Sequence, residues 1–232
     1  MKKLFIKAFK LTIPIFAGYI VLGIAFGVML ANLGYNPIYT TIMSIFIYAG
    51  SGQFVAVSLL ANHIDLINVF IISFVINFRH IFYGISLLKT YSGLGKLKPY
   101  AIFATTDETF SVLISQEFEE KEKKPLILLI CLLDHLYWIL GSTIGGFLYQ
   151  FINFSTKGID FVLTALFVVI MIDQIKKIKN KYLPFIGIIT TTICLLIFKD
   201  NFIIPALTVI LLIVTILKKP FTTIEEGPIN AN

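Results

Sequence analysis

The sequence predicts an all-α, polytopic membrane protein with about six to eight transmembrane segments, one of them re-entrant or broken near residues 48–54. Three observations predict this. The 232 residues are 57% hydrophobic and 14% charged, with a mean hydropathy of +0.90, more apolar surface than a soluble domain of this length can hide. Several runs of about 17 to 25 residues carry few or no charges, the length that crosses a roughly 30 Å hydrocarbon core as a helix. The lysines cluster in short loops and at the ends, where they set topology, so the net charge of +6 marks no nucleic-acid partner.

The segments are 11–33, 38–62, 66–88, 100–117, 125–151, 159–176, 182–198 and 202–217. They leave no room for a separate soluble catalytic domain: residues 1–219 read as one transmembrane domain and 220–232 as a polar, disordered tail. Lys2, Lys3, Lys7 and Lys10 precede the first run, which is too long for a signal peptide's apolar core and has no small-x-small cleavage site after it. It is expected to be retained, with both termini cytoplasmic. Gly23 and Gly27 within it form a G-xxx-G packing pair. Cys131 and Cys194 lie in apolar segments and read as small core residues.

Segment 38–62 is less simple. Lys121, Lys123 and Lys124, Lys176, Lys177, Lys179 and Lys181, and Lys218 and Lys219 all belong on the cytoplasmic side, and so do Lys89, Lys96 and Lys98 in the loop 89–98. If 11–33, 38–62 and 66–88 each cross once, that loop falls outside. The conflict disappears if 38–62 enters and leaves on one side. Its centre reads YAGSGQF, and Gly50, Ser51 and Gly52 break a helix there. Arms 38–48 and 53–62 would each reach about 15 Å, the bilayer midplane. The competing reading is an ordinary span with a glycine-rich packing patch, which makes 100–117 a further short span carrying Asp107 and Glu108.

Polar groups at membrane depth are costly and mark function by default. In 66–88, Ser73, Asn77, His80 and Gly84 recur at intervals of four, three and four, a narrow stripe of one helix. Arg79 is the single arginine of the chain. It lies about 100° round from His80 and shares its side with Tyr83 and Ser86. A membrane arginine needs a carboxylate, carbonyls or a substrate anion. A broken helix exposes N–H groups at one half-helix terminus and carbonyls at the other, a pair suited to a zwitterion such as an amino acid. The candidate substrate-binding residues are therefore Gly50, Ser51, Gly52, Gln53, Asn77 and Arg79.

ATTDETF, residues 104–110, supplies Asp107 and Glu108, which are either proton carriers and counter-ions or, with Thr105 and Glu108 as a capping box, a helix start. LLDHLYWILGSTIGG, residues 132–146, places Asp134, Trp138, Gly141 and Gly145 on one stripe. Gly141 and Gly145 are a second G-xxx-G packing pair. Asp134 and His135 can relay protons at that depth or lie near the interface if the span is shifted. The candidate proton-coupling residues are His80, Asp107, Glu108, Asp134 and His135. Asp173 and Gln174 read as an interfacial cap, and His63 and Asp65 as solvated loop residues. No phosphate loop of the G-x-x-x-x-G-K-[ST] kind and no clustered Cys/His pattern is present, so no metal and no cofactor is expected. Ser51 with His80 or His135 admits an intramembrane serine hydrolase only remotely, because no G-x-S-x-G surrounds it.

FIYAGSGQFVAVSLL at 46–60, VINFRHIFYGISL at 75–87 and TTDETF at 105–110 together resemble the AzlC family of branched-chain amino acid permeases; HLYWILGSTIGG at 135–146 and GIDFVLTALFVVIMIDQ at 158–174 continue the likeness in order. Gly52 departs mildly, standing where alanine is more usual in the family. The resemblance implies a non-enzymatic exporter of branched-chain amino acids and analogues such as azaleucine, in the bacterial cytoplasmic membrane. It also implies drive by the proton motive force and a small membrane partner of the AzlD type. From other classes, a structural or regulatory subunit, or a passive channel, would need that partner to form a path.

Overall fold

The computed structural model describes residues 2–116, 118–151, 168, 171–172, 175–176, 182–199 and 202–216, and these are helices and their connections with no strand among them. Segment 159–176 lies almost wholly outside the described residues, as do Asp173, Gln174 and the tail 220–232. The chain divides into two compact units, 1–159 and 160–232.

In the first unit, α1 (Lys2–Asn32) and α8 (Glu120–Phe151) form the frame. Their contacts advance together along both helices: Lys7 reaches Glu122, Tyr19 packs on Trp138, Gly23 meets Ser142, and Tyr149 donates to Asn32. The two helices therefore run parallel. Glycine makes this approach possible. A Cβ on Gly23 would lie 2.7 Å from the Ser142 nitrogen, and one on Gly141 2.7 Å from the Tyr19 carbonyl oxygen. Gly27 and Gly145 face the partner backbone more closely still. Gly146, beside them, receives Pro37 and Thr40 from the next helix.

Between α1 and α8 the chain makes two hairpins and one crossing. α2 (Pro37–Phe46) starts with Asn36 as its cap, its side chain accepting from the Ile38 N–H. It runs back down α8: Pro37 lies at Gly146, Thr41 bonds Thr143 at 2.9 Å, Ser44 bonds Ser142 at 2.6 Å, and Tyr48 packs on His135. The helix stops at residues 47–50, and Gly50 takes φ +40°, a left-handed value that favours glycine. α3 (Ser51–Ala61) then returns, since Leu60, Ala61 and His63 share a cleft with Leu33, Gly34 and Tyr35 at the end of α1. Residues 37–61 thus enter and leave on one side. The arms are 37–46 and 51–61, and the break is 47–50, slightly earlier than the glycines alone suggest.

α4 (Leu66–Asn77) and α5 (Arg79–Ser86) make the crossing, with a short 3₁₀ step at Phe78 where the ladder tightens. The crossing ends beside the start of α8, where the Lys123 ammonium donates to the Lys89 carbonyl. The lysine-bearing loop 89–98 therefore shares an end of the molecule with the lysines in the first turns of α8, as the charge pattern requires. Asp65 is not merely solvated. It caps α4, accepting from the Ile67 and Asn68 backbone N–H groups at 3.1 Å each. The Asn68 N–H does most to hold its carboxyl below the usual range. A lowered folded value means the cap is intact above the ordinary aspartate range and is lost as pH falls through the folded value. Protection of the Ile67 and Asn68 amides in hydrogen exchange should fall as pH drops below about 4, and Asp65→Ala should remove that pH dependence. Protection unchanged with pH in the wild type would refute the cap.

The second hairpin was not anticipated. After a 3₁₀ turn at Gly95–Leu97, α6 (Lys98–Phe103) rises until Phe103 meets Tyr48 and His135. The helix breaks at 104–106, and α7 (Asp107–Ser115) descends to the start of α8. The cap is Thr106, whose hydroxyl accepts the Thr109 N–H, and not Thr105 as the capping-box pattern suggests. Segment 100–117 is thus neither a span nor a plain helix start. It is a re-entrant pair inserted from the opposite end to 37–61. Among the described residues, the helices long and apolar enough to cross a membrane are Lys2–Asn32, Leu66–Ser86 and Lys121–Phe151, which fits three crossings and two hairpins. In the second unit, α9 (Tyr182–Phe198) and α10 (Ile203–Ile216) pack on each other around buried Cys194 and Ala206.

Candidate functional site

The two hairpin tips meet halfway along α8, where Asp134 and His135 lie. They align residue for residue. Gly50, Ser51, Gln53 and Phe54 on α3 correspond in helix position to Thr106, Asp107, Thr109 and Phe110 on α7. Each half-helix uses its third residue to hold α8. Gln53 accepts from the Trp138 indole at 2.7 Å, and the Thr109 hydroxyl donates to Asp134 at 2.7 Å. Each presents its first residue to Arg79: one guanidinium nitrogen donates to Asp107 and the other to the Ser51 hydroxyl at 2.7 Å. Arg79, carried by the crossing helix, thus bridges half-helices that enter from opposite sides.

The Arg79 side chain is 35% exposed and that of Asp107 16%, so this ion pair is half open and not sealed in the core. Tyr83, one turn after Arg79, donates to the other Asp107 oxygen at 3.0 Å and stacks on Phe110. The Arg79 Nε is buried with no hydrogen-bond partner among the described residues. The α3 terminus carries no capping side chain, and its Gly52 and Gln53 N–H groups donate to the Ala49 and Gly50 carbonyls at 2.7 and 3.0 Å. The carboxylate that Arg79 holds is that of Asp107, while Glu108 turns to Tyr19 at 2.8 Å.

The other predicted residues divide. Gln53 is fully buried and braces the break, its Oε1 accepting from the Ala49 N–H as well as from Trp138. Gly52 lies against Asn77, and the Asn77 amide donates to the Ser73 carbonyl. A bulkier residue at 52 would press on Ala49 and Asn77. The His80 ring nitrogen pairs with the Asn77 carbonyl and its ring meets Tyr83; no hydrogen bond joins it to either tip among the described residues. Gly84 faces open space. His135 is held at both ring nitrogens, Nε2 by the Ser44 carbonyl at 3.2 Å and Nδ1 by the Tyr100 hydroxyl at 3.3 Å. Asp134 is fully buried. Sequence reasoning did not single out Tyr19, Thr106 or Thr109. Tyr19 carried a usable signal, since Tyr19, Gly23 and Gly27 share the four-residue stripe that packs on α8.

This architecture defines a class: an α-helical membrane protein with paired half-helix hairpins around a midpoint charged site, the arrangement by which broken-helix transporters hold ligands. The chain belongs to the AzlC family, whose model, described as AzlC protein, matches residues 14–152, the span holding both hairpins. It is 43% identical over 223 residues to the branched-chain amino acid transport protein AzlC of Bacillus subtilis, covering 95% of this chain and 88% of that one. An uncharacterized membrane protein of Helicobacter pylori strain 26695 is 37% identical over 94% of this chain and 96% of its own. The inner membrane protein YgaZ of Escherichia coli is 28% identical over 75% of this chain and 74% of its own. No solved structure matches.

Proposed function

We propose that the protein is a secondary transporter that exports branched-chain amino acids, and analogues such as azaleucine, across the bacterial cytoplasmic membrane at the expense of the proton gradient. It works with a small membrane subunit of the AzlD type, and both termini are cytoplasmic. One observation carries the reading: a half-exposed arginine bridges the first residues of two half-helices that enter from opposite ends. A substrate carboxylate has the same chemistry as Asp107 and can take its place on Arg79. Asp107, released, then faces the substrate ammonium. Ser51 is engaged by a guanidinium, which offers no base to activate it, so transport accounts for this serine better than hydrolysis does.

Because the arginine belongs to neither hairpin but touches both, exchanging Asp107 for substrate loosens one half-helix from the other. That gives each hairpin a separate opening motion around a fixed site. The test is reconstitution with and without the small subunit, an imposed pH gradient, and labelled isoleucine. Accumulation should follow the gradient and collapse when it is dissipated. Isoleucine movement indifferent to the gradient would remove proton coupling, and activity equal without the small subunit would remove the partner.

A further inference from the structure

A second polar system lies behind the Arg79 site and is not needed to bind the substrate. Glu108 accepts from the Tyr19 hydroxyl at 2.8 Å; that hydroxyl also contacts Thr106, which contacts Thr109 at 3.1 Å, which donates to Asp134 at 2.7 Å. Three hydroxyls, from α1 and the α6–α7 tip, thus connect two carboxyl groups without interruption. Tyr19, Thr106 and Thr109 are all buried, as is Asp134, whereas Glu108 is only partly covered. We infer that Tyr19, Thr106 and Thr109 form a relay along which one proton passes between Glu108, at the substrate side, and Asp134, in the core. This rests on the proton-coupled reading above and assigns the path.

Proton counting supports it. The relay has four links and its hydroxyls carry three hydrogens, one each. With both carboxyls ionised, one link must lie between two oxygens with no hydrogen. One added proton fills all four links. If it resides on Glu108, every hydrogen points toward Asp134. Glu108 gives it up to Tyr19, Tyr19 passes its own to Thr106, Thr106 to Thr109, and Thr109 to Asp134. The products are a Glu108 carboxylate and a protonated Asp134, with every hydroxyl restored and reversed. Nothing else is consumed. The link lengths fall in the range over which protons transfer directly.

An independent observation favours the protonated form at the inner end. The Asp134 Oδ1 is buried with no hydrogen-bond partner among the described residues, so the carboxylate lacks the donors an interior ion needs. The other titratable groups facing the relay are Tyr48, which lies against both Tyr19 and Asp134, the doubly engaged His135, Tyr137, whose hydroxyl bonds Thr12, and Cys131, one turn before Asp134. Arg79 is engaged by Asp107 and Ser51 on the substrate side.

The test separates coupling from transport, using the full chain with its small subunit in vesicles. Tyr19→Phe and Thr109→Val remove one link each and keep the shape, and Thr109→Ser keeps the hydroxyl. Gradient-driven isoleucine accumulation should fall at least about tenfold in the first two and return to within about threefold of wild type in the third. Isoleucine exchange at equal pH on both sides should persist in all three. Accumulation in Tyr19→Phe and Thr109→Val equal to wild type would overturn the relay while leaving proton coupling intact. A Thr109→Ser protein as defective as Thr109→Val would overturn it too, since the hydroxyl would then not be the cause. If Thr109→Val also loses exchange, Tyr19→Phe alone decides. A wild type blind to the gradient fails the earlier reading and the relay with it.

Discussion

Arg79→Ala is expected to abolish isoleucine transport in reconstituted vesicles, and Arg79→Lys to leave less than about a tenth of it. The argument is geometric before it is electrostatic. Arg79 satisfies Asp107 with one guanidinium nitrogen and Ser51 with the other, so a planar fork spans two half-helices. Lysine keeps the charge but concentrates it at one point on a flexible stem, and it cannot hold two partners in fixed directions. Alanine removes the charge as well and takes the counter-ion from Asp107, which is mostly covered. A fully buried carboxylate stripped of its partner loses roughly 3–5 kcal/mol, and here the loss is smaller because the guanidinium is 35% exposed. This stability term is separable from function. Arg79→Ala combined with Asp107→Asn removes the stranded charge, so the double variant should regain much of the melting temperature lost by the single one. It should regain none of the transport. Wild-type transport by Arg79→Ala would place the substrate elsewhere.

What the sequence made legible, and what it hid, follows from how each break is built. The 37–61 hairpin announced itself because Gly50, Ser51 and Gly52 mark a helix break and the lysines of loop 89–98 demanded a change of topology; the turn itself is 47–50, where Tyr48 and Gly50 both take a positive φ. The 98–115 hairpin is made differently. Ala104, Thr105 and Thr106 carry no glycine or proline, and the helix restarts because a threonine side chain caps it. Such a break reads in sequence as an ordinary helix start inside a short apolar segment. The identity of Arg79's carboxylate was hidden for the same reason. Asp107 and Glu108 are adjacent, and a cap displaced by one residue decides which faces the crossing helix and which faces Tyr19. The hydroxyl relay was hidden by chemistry. A threonine or tyrosine in a helix is common and neutral, and only a carboxyl at each end gives such a row direction.

The correspondence of the two tips is not visible as a repeat in the sequence. GSGQF and TDETF share only their phenylalanine in register, yet Ser51 and Asp107 both meet Arg79, and Gln53 and Thr109 both hold α8 one turn apart. The likeness lies in hydrogen-bonding capacity at each helix position, which residue identity does not reveal. The two hairpins enter from opposite ends and share one contact, Arg79.

Gly27→Ala is expected to cost more stability than any other single methyl added to α1. A Cβ at that position would meet the backbone of Ser142, Gly145 and Gly146, and backbone cannot rotate away as a side chain does. α1 and α8 would have to separate, and the displacement would pass to everything hung on their contact: Tyr19 on Trp138, Phe26 between Trp138 and Phe54, and through Phe54 the start of α3. Overpacking of this kind costs about 1–3 kcal/mol and sometimes more. For a chain of this size that is a fall of roughly 2–12 °C in melting temperature. Gly18→Ala is the control on the same helix. Nothing lies within 4 Å of the Cβ it would add, and alanine is the better helix former, so the melting temperature should hold or rise slightly. The comparison isolates packing from helix propensity, because both substitutions add one methyl to α1 and differ only in what the methyl meets. Equal melting temperatures for the two variants would mean that α1 and α8 do not make this contact in the membrane. Since the relay depends on Tyr19 being held against Thr106 by the same contact, Gly27→Ala should also weaken gradient-driven accumulation in whatever fraction folds.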